Sequence, residues 1–449
     1  MPKRSRSKSF LAGQAILALA GSFVSWSPAS LVWAAEAEGG PDDSPLVEFD
    51  IDRPPPARIE VTPYLYLGVS ANIGLLAQDN FDLDDAQNDE LSRAIGVGQF
   101  AVALRPTNWL EFFVNTQLSH RIVQENQDTE VGIQQMYLTV REMADGFSTR
   151  IGRQRVFDQR EWFLDENLDS VGVYYRTGSF GFEALVGERR LVDLRFTDTE
   201  RSDGITNYVL QAYYRPNMAH LFSAYFLARN AENNGEDNVI FTGLRALGSI
   251  GNSIDYWVDV AGVFGQGEPI ASGSRPSLSG FGFDVGATYH IESPLDPTIT
   301  VSYAFGAGDS DLSDGTDSSF RQTGIHDNQG RFNGLAYFDY YGEVLDPELH
   351  NLGIFTVGAG LRPFPRTSID LVYHNYKQQN PAPSVRRSTI RANPLGLDTD
   401  IGDEIDLIIA HRSTLGLGLN FAGGYFFPGN AYENADGAWV ARALVWYSF

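Results

Sequence analysis

The 449-residue sequence contains no cysteine. Disulfides, thiolate metal sites and cysteine nucleophiles are therefore excluded. Histidine and methionine are scarce, at seven and four. No Ser/His neighbourhood and no paired-carboxylate motif stands out, so the sequence is not expected to be an enzyme. Beyond the first thirty residues no run of about 20 apolar residues occurs, which excludes helical membrane spans. Positive charge is also short: 33 Lys and Arg face 57 Asp and Glu, for a net charge of −24. Phosphate binding needs a basic face, so nucleic acid is not an expected partner.

What is present begins with the N-terminus, MPKRSRSKSF, basic and free of acids. A short apolar run follows from Leu11 to Val24, then small residues around Ala34. This is the pattern of a secretory signal peptide over 1–34, with cleavage after Ala34, or after Ala37 as second choice. Residues 35–56 are acidic and proline-rich and read as a flexible or extended lead-in on the periplasmic side. Residues 57–449 hold the rest of the architecture.

Those residues alternate. In the last stretch, Gly437 to Phe449, Trp439, Ala441, Ala443, Val445, Tyr447 and Phe449 share one face. Val440, Arg442, Leu444, Trp446 and Ser448 share the other. An apolar stripe with aromatics at both ends suits a lipid-facing strand between two interfacial girdles. The terminal Phe, with a Tyr two residues before it, resembles the last strand of bacterial outer-membrane barrels. About 18 such runs are legible between 58 and 449. The connections alternate short (Pro106-Thr107-Asn108, Thr177-Gly178, Arg412-Ser413) and long (71–91, 157–167, 192–204, 266–278, 308–348, 379–401). The expected fold is all-β: a closed antiparallel transmembrane barrel of about 18 strands, with short periplasmic turns and long extracellular loops. Mean hydropathy is only −0.21 because lipid-facing and lumen-facing residues cancel.

With the apolar phase outward, the other phase lines the lumen. On that test Arg105, Arg121, Arg141, Arg189, Arg215 and Arg229 point inward, with one or more of Arg150, Arg153 and Arg155. Glu111 and Glu183 oppose them on the early strands. Asp255, Asp259, Asp284, Glu404 and Asp406 form an acidic set on the later ones. Loop acids are screened within about 10 Å at moderate salt, so the inward arginines are expected to set an anion preference. If the later acids govern instead, the pore favours cations. Segment 308–348 is too long for a plain turn and is expected to fold into or over the pore mouth. Oxygen-rich loops suit calcium, which makes Asp309, Asp311 and Asp314 a weak candidate metal site; no other cofactor is expected.

Arg150 to Asp169 reads RIGRQRVFDQREWFLDENLD. Gly152-Arg153-Gln154 on a strand, then a loop with Arg160, Trp162 and Asp169, resembles the alginate export family of outer-membrane barrels. The resemblance implies an 18-stranded channel with an arginine-rich constriction that passes an acidic polysaccharide. It further implies an anionic saccharide as solute, outer-membrane lipid around the wall and periplasmic export partners. The alternatives are a general or small-solute porin, an outer-membrane hydrolase, and a structural or adhesin barrel.

Overall fold

The structure is a computed structural model. It describes residues 56–87, 89–197, 201–231, 237–267, 275–311, 314–332, 334–433 and 435–448. The expected signal peptide, all but the end of the 35–56 lead-in, and Phe449 lie outside these residues.

Eighteen long strands form one closed antiparallel sheet. They are β1 (Leu65–Asp79), β2 (Leu91–Thr107), β3 (Leu110–Val123), β4 (Asn126–Ala144), β5 (Phe147–Phe157) and β6 (Asp165–Thr177). Then come β7 (Phe180–Glu188), β8 (Thr206–Asn217), β9 (His220–Asn230), β10 (Asn238–Ile250), β11 (Ile254–Gln266) and β12 (Ser277–His290). The wall ends with β13 (Thr298–Gly306), β14 (Leu352–Phe364), β15 (Thr367–Gln378), β16 (Asp400–Arg412), β17 (Leu417–Pro428) and β18 (Ala438–Ser448). Each strand pairs with the next. The seam closes between β18 and β1, from Trp439 opposite Asp79 to Ser448 opposite Ser70. Closure leaves no open edge, which a sheet in lipid requires. β1 starts and β18 ends at the short-turn rim, so both ends of the barrel lie on one side.

The alternation governs burial as expected. On β3, Phe112 and Leu118 are exposed outward, while Glu111, Asn115, Gln117 and Ser119 are buried inside. On β12, Phe281, Val285 and Tyr289 face out, and Asp284 and Thr288 face in. Trp439, Val445 and Tyr447 form the outer stripe of β18.

The start of the wall differs from expectation. The first strand was expected near 58–70 with a loop over 71–91; β1 instead runs to Asp79. Its alternation continues through Asn72 inward, Ile73 outward, Leu75 outward and Leu76 inward. Asn72 and Gln78 fit the inward phase, while the apolar Leu76 on that phase blurs the rhythm in the sequence. Ile59–Thr62 forms a separate short strand on the same edge of β1 that β18 occupies higher up.

On β5, whose phase is ambiguous in the sequence, Arg150 meets the inward Thr139 and Tyr137 and Gln154 meets Ser170 and Tyr174, with Gly152 between them. Its φ is 127°, and an added Cβ would lie 2.2 Å from the Met136 carbonyl oxygen. Ile151 is exposed and Arg150 buried, but beyond the glycine Arg153, Gln154 and Arg155 are all buried, so burial no longer reports which way each side chain points. A Cβ here meets both strain and a clash. Gly152→Ala should therefore cost about 1–3 kcal/mol, read as a lower urea midpoint for the refolded barrel. An unchanged midpoint would contradict this role for the glycine.

Candidate functional site in the barrel lumen

Segment 307–351 enters the barrel rather than covering it. Near its start, the Phe320 amide donates to the Ala307 carbonyl at 2.8 Å, and the Phe320 ring stacks on Trp162. Phe332 then lies flat on Trp257, centroids 5.8 Å apart. At the bottom the Leu335 amide donates to Ser368 Oγ at 2.8 Å, and Arg412 Nη2 donates to the Leu335 carbonyl at 2.6 Å. Ser368 and Arg412 flank short turns, so the segment spans the height of the lumen. On the way back Val344, Leu345 and Leu349 are fully buried. Each such burial contributes about 1.5–3 kcal/mol, enough in sum to hold the segment in place.

The inserted segment and the 158–164 loop absorb the acids of the later strands. Arg160 lies 2.9 Å from both Asp259 and Asp284, between the rings of Trp257 and Tyr340. Arg245 pairs with Asp259 and Asp158. Asp284 also accepts from Tyr341 Oη at 2.9 Å and Trp257 Nε1 at 2.8 Å. Glu404 accepts the Val344 and Leu345 amides at 2.6 and 2.9 Å, and the Tyr376 hydroxyl at 3.1 Å. Asp406 is fully buried 3.3 Å from His374. Only Asp255 of this set is half exposed, near the short-turn rim, with His290 at 2.7 Å. Asp259, Asp284 and Glu404 are thus occupied structural groups rather than an open acidic surface.

The early-strand arginines divide into three groups. Arg153 makes a two-pronged pair with Asp169 at 2.8 and 3.0 Å, and Arg155 holds Asp165 and Glu161 at 2.5 and 2.7 Å. Arg189 binds Glu166 at 2.5 Å and the Gly324 carbonyl, while Arg229 donates to the Thr323 carbonyl. These two anchor the inserted segment. The third group lies on β2 to β5. Arg105 and Arg141 share one carboxylate, Glu111, at 2.6 and 3.5 Å. Arg150 donates to Thr139 and stacks over Tyr137. Arg121, opposite Ile95, stands diagonally from Arg93. No carboxylate of the described residues lies within 4.0 Å of either. Glu183 is buried, and Arg215 sits beside a short turn.

Sequence reasoning missed Arg93 and Arg245, and singled out Arg160 only as part of the family motif, without its lumen role. Arg93 was findable, because it shares the parity of Arg105 on β2. The role of Arg160 was not, because loop residues carry no alternation. Of the candidate metal ligands, Asp309 Oδ1 accepts from the Asp311 amide and Ser318 Oγ, and Asp314 Oδ1 from the Thr316 amide. These are local turn contacts. Among the described residues the carboxylates that converge within 4.8 Å are those of Glu161, Asp165 and Asp327 instead.

One clamp in the inserted segment is pH-sensitive. Arg442 on β18 binds Asp339 at 2.5 Å and Glu343 at 2.6 Å. Burial pushes the Glu343 carboxyl up to about 7 against the opposing pull of Arg442. A raised folded-state value means that its contribution is complete below the ordinary value of 4.5 and is lost as pH rises through 7. The segment should therefore loosen progressively from about pH 4.5 to about pH 7, seen as noisier, larger single-channel currents. Glu343→Gln should flatten that dependence, and a retained pH response in this variant would count against the clamp.

A family model described as alginate export matches residues 64–445. The alginate production protein AlgE of Pseudomonas aeruginosa is 24% identical over 347 residues, covering 67% of this chain and 70% of that protein. AlgE of Azotobacter vinelandii is 27% identical over 185 residues, covering 36% and 37%. Among solved structures, Pseudomonas aeruginosa OccK8 (OprE) superposes with a TM-score of 0.56 at 12% identity, covering 86% of this chain and 98% of that one. OccD3 (OpdP) of the same organism gives 0.56 at 10%, covering 91% and 98%. At such identities these two show the fold alone.

Proposed function

This chain belongs to the alginate export family, and we propose that its outer-membrane barrel passes an alginate-like anionic polysaccharide along the arginine-bearing wall of β2 to β5. The observation that carries this reading is the asymmetry of the lumen. Of the later-strand acids, Asp259, Asp284 and Glu404 are engaged by Arg160, Arg245 and the inserted segment. On the facing early strands Arg93 and Arg121 have no carboxylate among the described residues within pairing distance, and Arg105 and Arg141 divide Glu111.

A polyuronate carries one carboxylate per sugar. Guanidinium groups match carboxylates in shape and keep their charge at any working pH. Arg105, Arg141 and Arg150 would offer successive sites from the short-turn side, and Arg121 and Arg93 from the long-loop side. Spaced sites of moderate strength let a chain enter and leave, whereas one tight site would hold it. Passage of this kind breaks no bond, and no lumen side chain is asked to act as acid, base or nucleophile. Periplasmic export partners would deliver the polymer to the short-turn rim.

The test is current block. Alginate oligosaccharides added on the short-turn side should interrupt single-channel currents at lower concentration than uncharged oligosaccharides of equal length. Equal block by both would favour a general small-solute porin.

A further inference from the structure

β4 runs up to Asn126, but its ladder with β5 ends where Met136 stands opposite Arg153. Above that level β5 stays with β6, from Arg153 opposite Asp169 to Phe157 opposite Asp165. Val156 and Leu168, in the upper part of this hairpin, belong to the apolar cluster inside the barrel. The hairpin therefore leans inward and parts from β4, which leaves a fissure in the wall.

Residues 191–197, from the long connection between β7 and β8, lie across that fissure. On one side the Ile133 amide donates to the Leu194 carbonyl at 3.0 Å, and the Phe196 amide to the Val131 carbonyl at 2.8 Å. On the other, Arg153 Nη2 donates to the Val192 carbonyl at 2.6 Å, and the Val192 amide to Asp169 at 2.9 Å. The Arg153–Asp169 pair thus pins the strap to the hairpin. Gly132 pairs antiparallel with Arg195, so Leu194 and Phe196 share a face with Ile133 and Val131. Those two stand opposite Thr116 and Leu118, on the outward face of β3. Arg195 turns to Glu130 instead, at 3.1 Å. Leu191, Val192 and Phe196 are 60%, 52% and 67% exposed. One step higher on the outward face His120 and Thr129 form a polar pair at 2.8 Å. The strap therefore prolongs the apolar row of the wall near its long-loop edge.

We propose that residues 191–196 are a lipid-seated strap. Its outer side chains rest among the acyl chains of the outer leaflet, and its backbone closes the wall between β4 and the β5–β6 hairpin. Lipid is the occupant because the row is continuous with the lipid-facing wall. Three large apolar side chains clustered on one short exposed segment mark a contact surface rather than a water-facing loop. The inference concerns the wall and is independent of which solute the lumen passes.

The chain has no cysteine, so a single introduced cysteine can carry an environment-sensitive fluorophore. Val192→Cys and Phe196→Cys would be compared with Leu118→Cys on the wall and with Asp85→Cys at an exposed loop position, in barrels refolded into phosphatidylcholine vesicles. Phospholipid bearing a nitroxide on its acyl chain should quench positions 192 and 196 as strongly as 118. Iodide should quench them several-fold less than 85, and iodide quenching equal to that at 85 would overturn the lipid seat. Val131→Cys with Phe196→Cys should crosslink on mild oxidation; a pair that stays reduced would overturn the placement of the strap on β4. The closure is read by Leu191→Asp with Phe196→Asp, which should move the Val192→Cys probe into iodide reach and make single-channel currents larger and noisier. Currents as quiet as those of the wild type, with the probe so moved, would overturn the sealing role.

Discussion

Replacing residues 324–343 by a short Gly-Ser linker should raise single-channel conductance several-fold. The deletion removes Phe332, Leu335, Tyr340 and Tyr341, which occupy the lumen from the Trp257 layer to the short-turn rim. The wall should survive, because its strands are held by the closed ladder rather than by the segment. Arg160 keeps Asp259 and Asp284, now hydrated. Arg442 loses both partners in the clamp and gains water. Anion preference should fall as conductance rises, since ions can then travel farther from the arginines than the roughly 10 Å screening length. Unchanged conductance would mean that the segment does not border the path.

Charge reversal at Arg93 and Arg121 should have the second large effect. Arg93→Glu with Arg121→Glu changes the local charge by four at a place with no compensating carboxylate among the described residues. The reversal potential in a salt gradient should move from anion toward cation preference. Arg153→Ala should behave differently. Its partner Asp169 would be left as a buried unpaired carboxylate, a cost of about 3–5 kcal/mol. The outcome should be a lower unfolding midpoint with selectivity little altered. Should Arg153→Ala shift selectivity while the double reversal does not, the division of arginines into structural and path-lining groups is wrong.

The wall was legible because a strand writes its two faces into the sequence with period two. β3, β12 and β18 show both faces, and the alternation of short and long connections ordered them. β1 was misplaced although Asn72 and Gln78 keep the inward phase, because the apolar Leu76 on that phase blurs its second half. The lumen was only half legible, because parity says that a side chain points inward but not what meets it there. Asp259 and Asp284 look in the sequence like a cation-selective surface. In the structure Arg160, from a loop about a hundred residues earlier, bridges both, and Arg245 pairs with Asp259 as well. The 307–351 segment showed its length and aromatics, but not its depth, because its contacts are long-range and aperiodic. Gly152 shows a similar limit: beyond its left-handed backbone angle Arg153, Gln154 and Arg155 are all buried, where simple alternation would expose every second one.

The most direct measurement is flux. Vesicles containing the purified barrel would be loaded with a fluorescent alginate oligosaccharide and, separately, with a neutral oligosaccharide of the same length and label. The account predicts faster release of the anionic sugar, with the advantage lost in the Arg93→Glu, Arg121→Glu variant and reduced at high salt. Equal release of the two sugars by the wild type, or an anionic advantage that survives the double reversal, would contradict an arginine-lined path for an anionic polysaccharide.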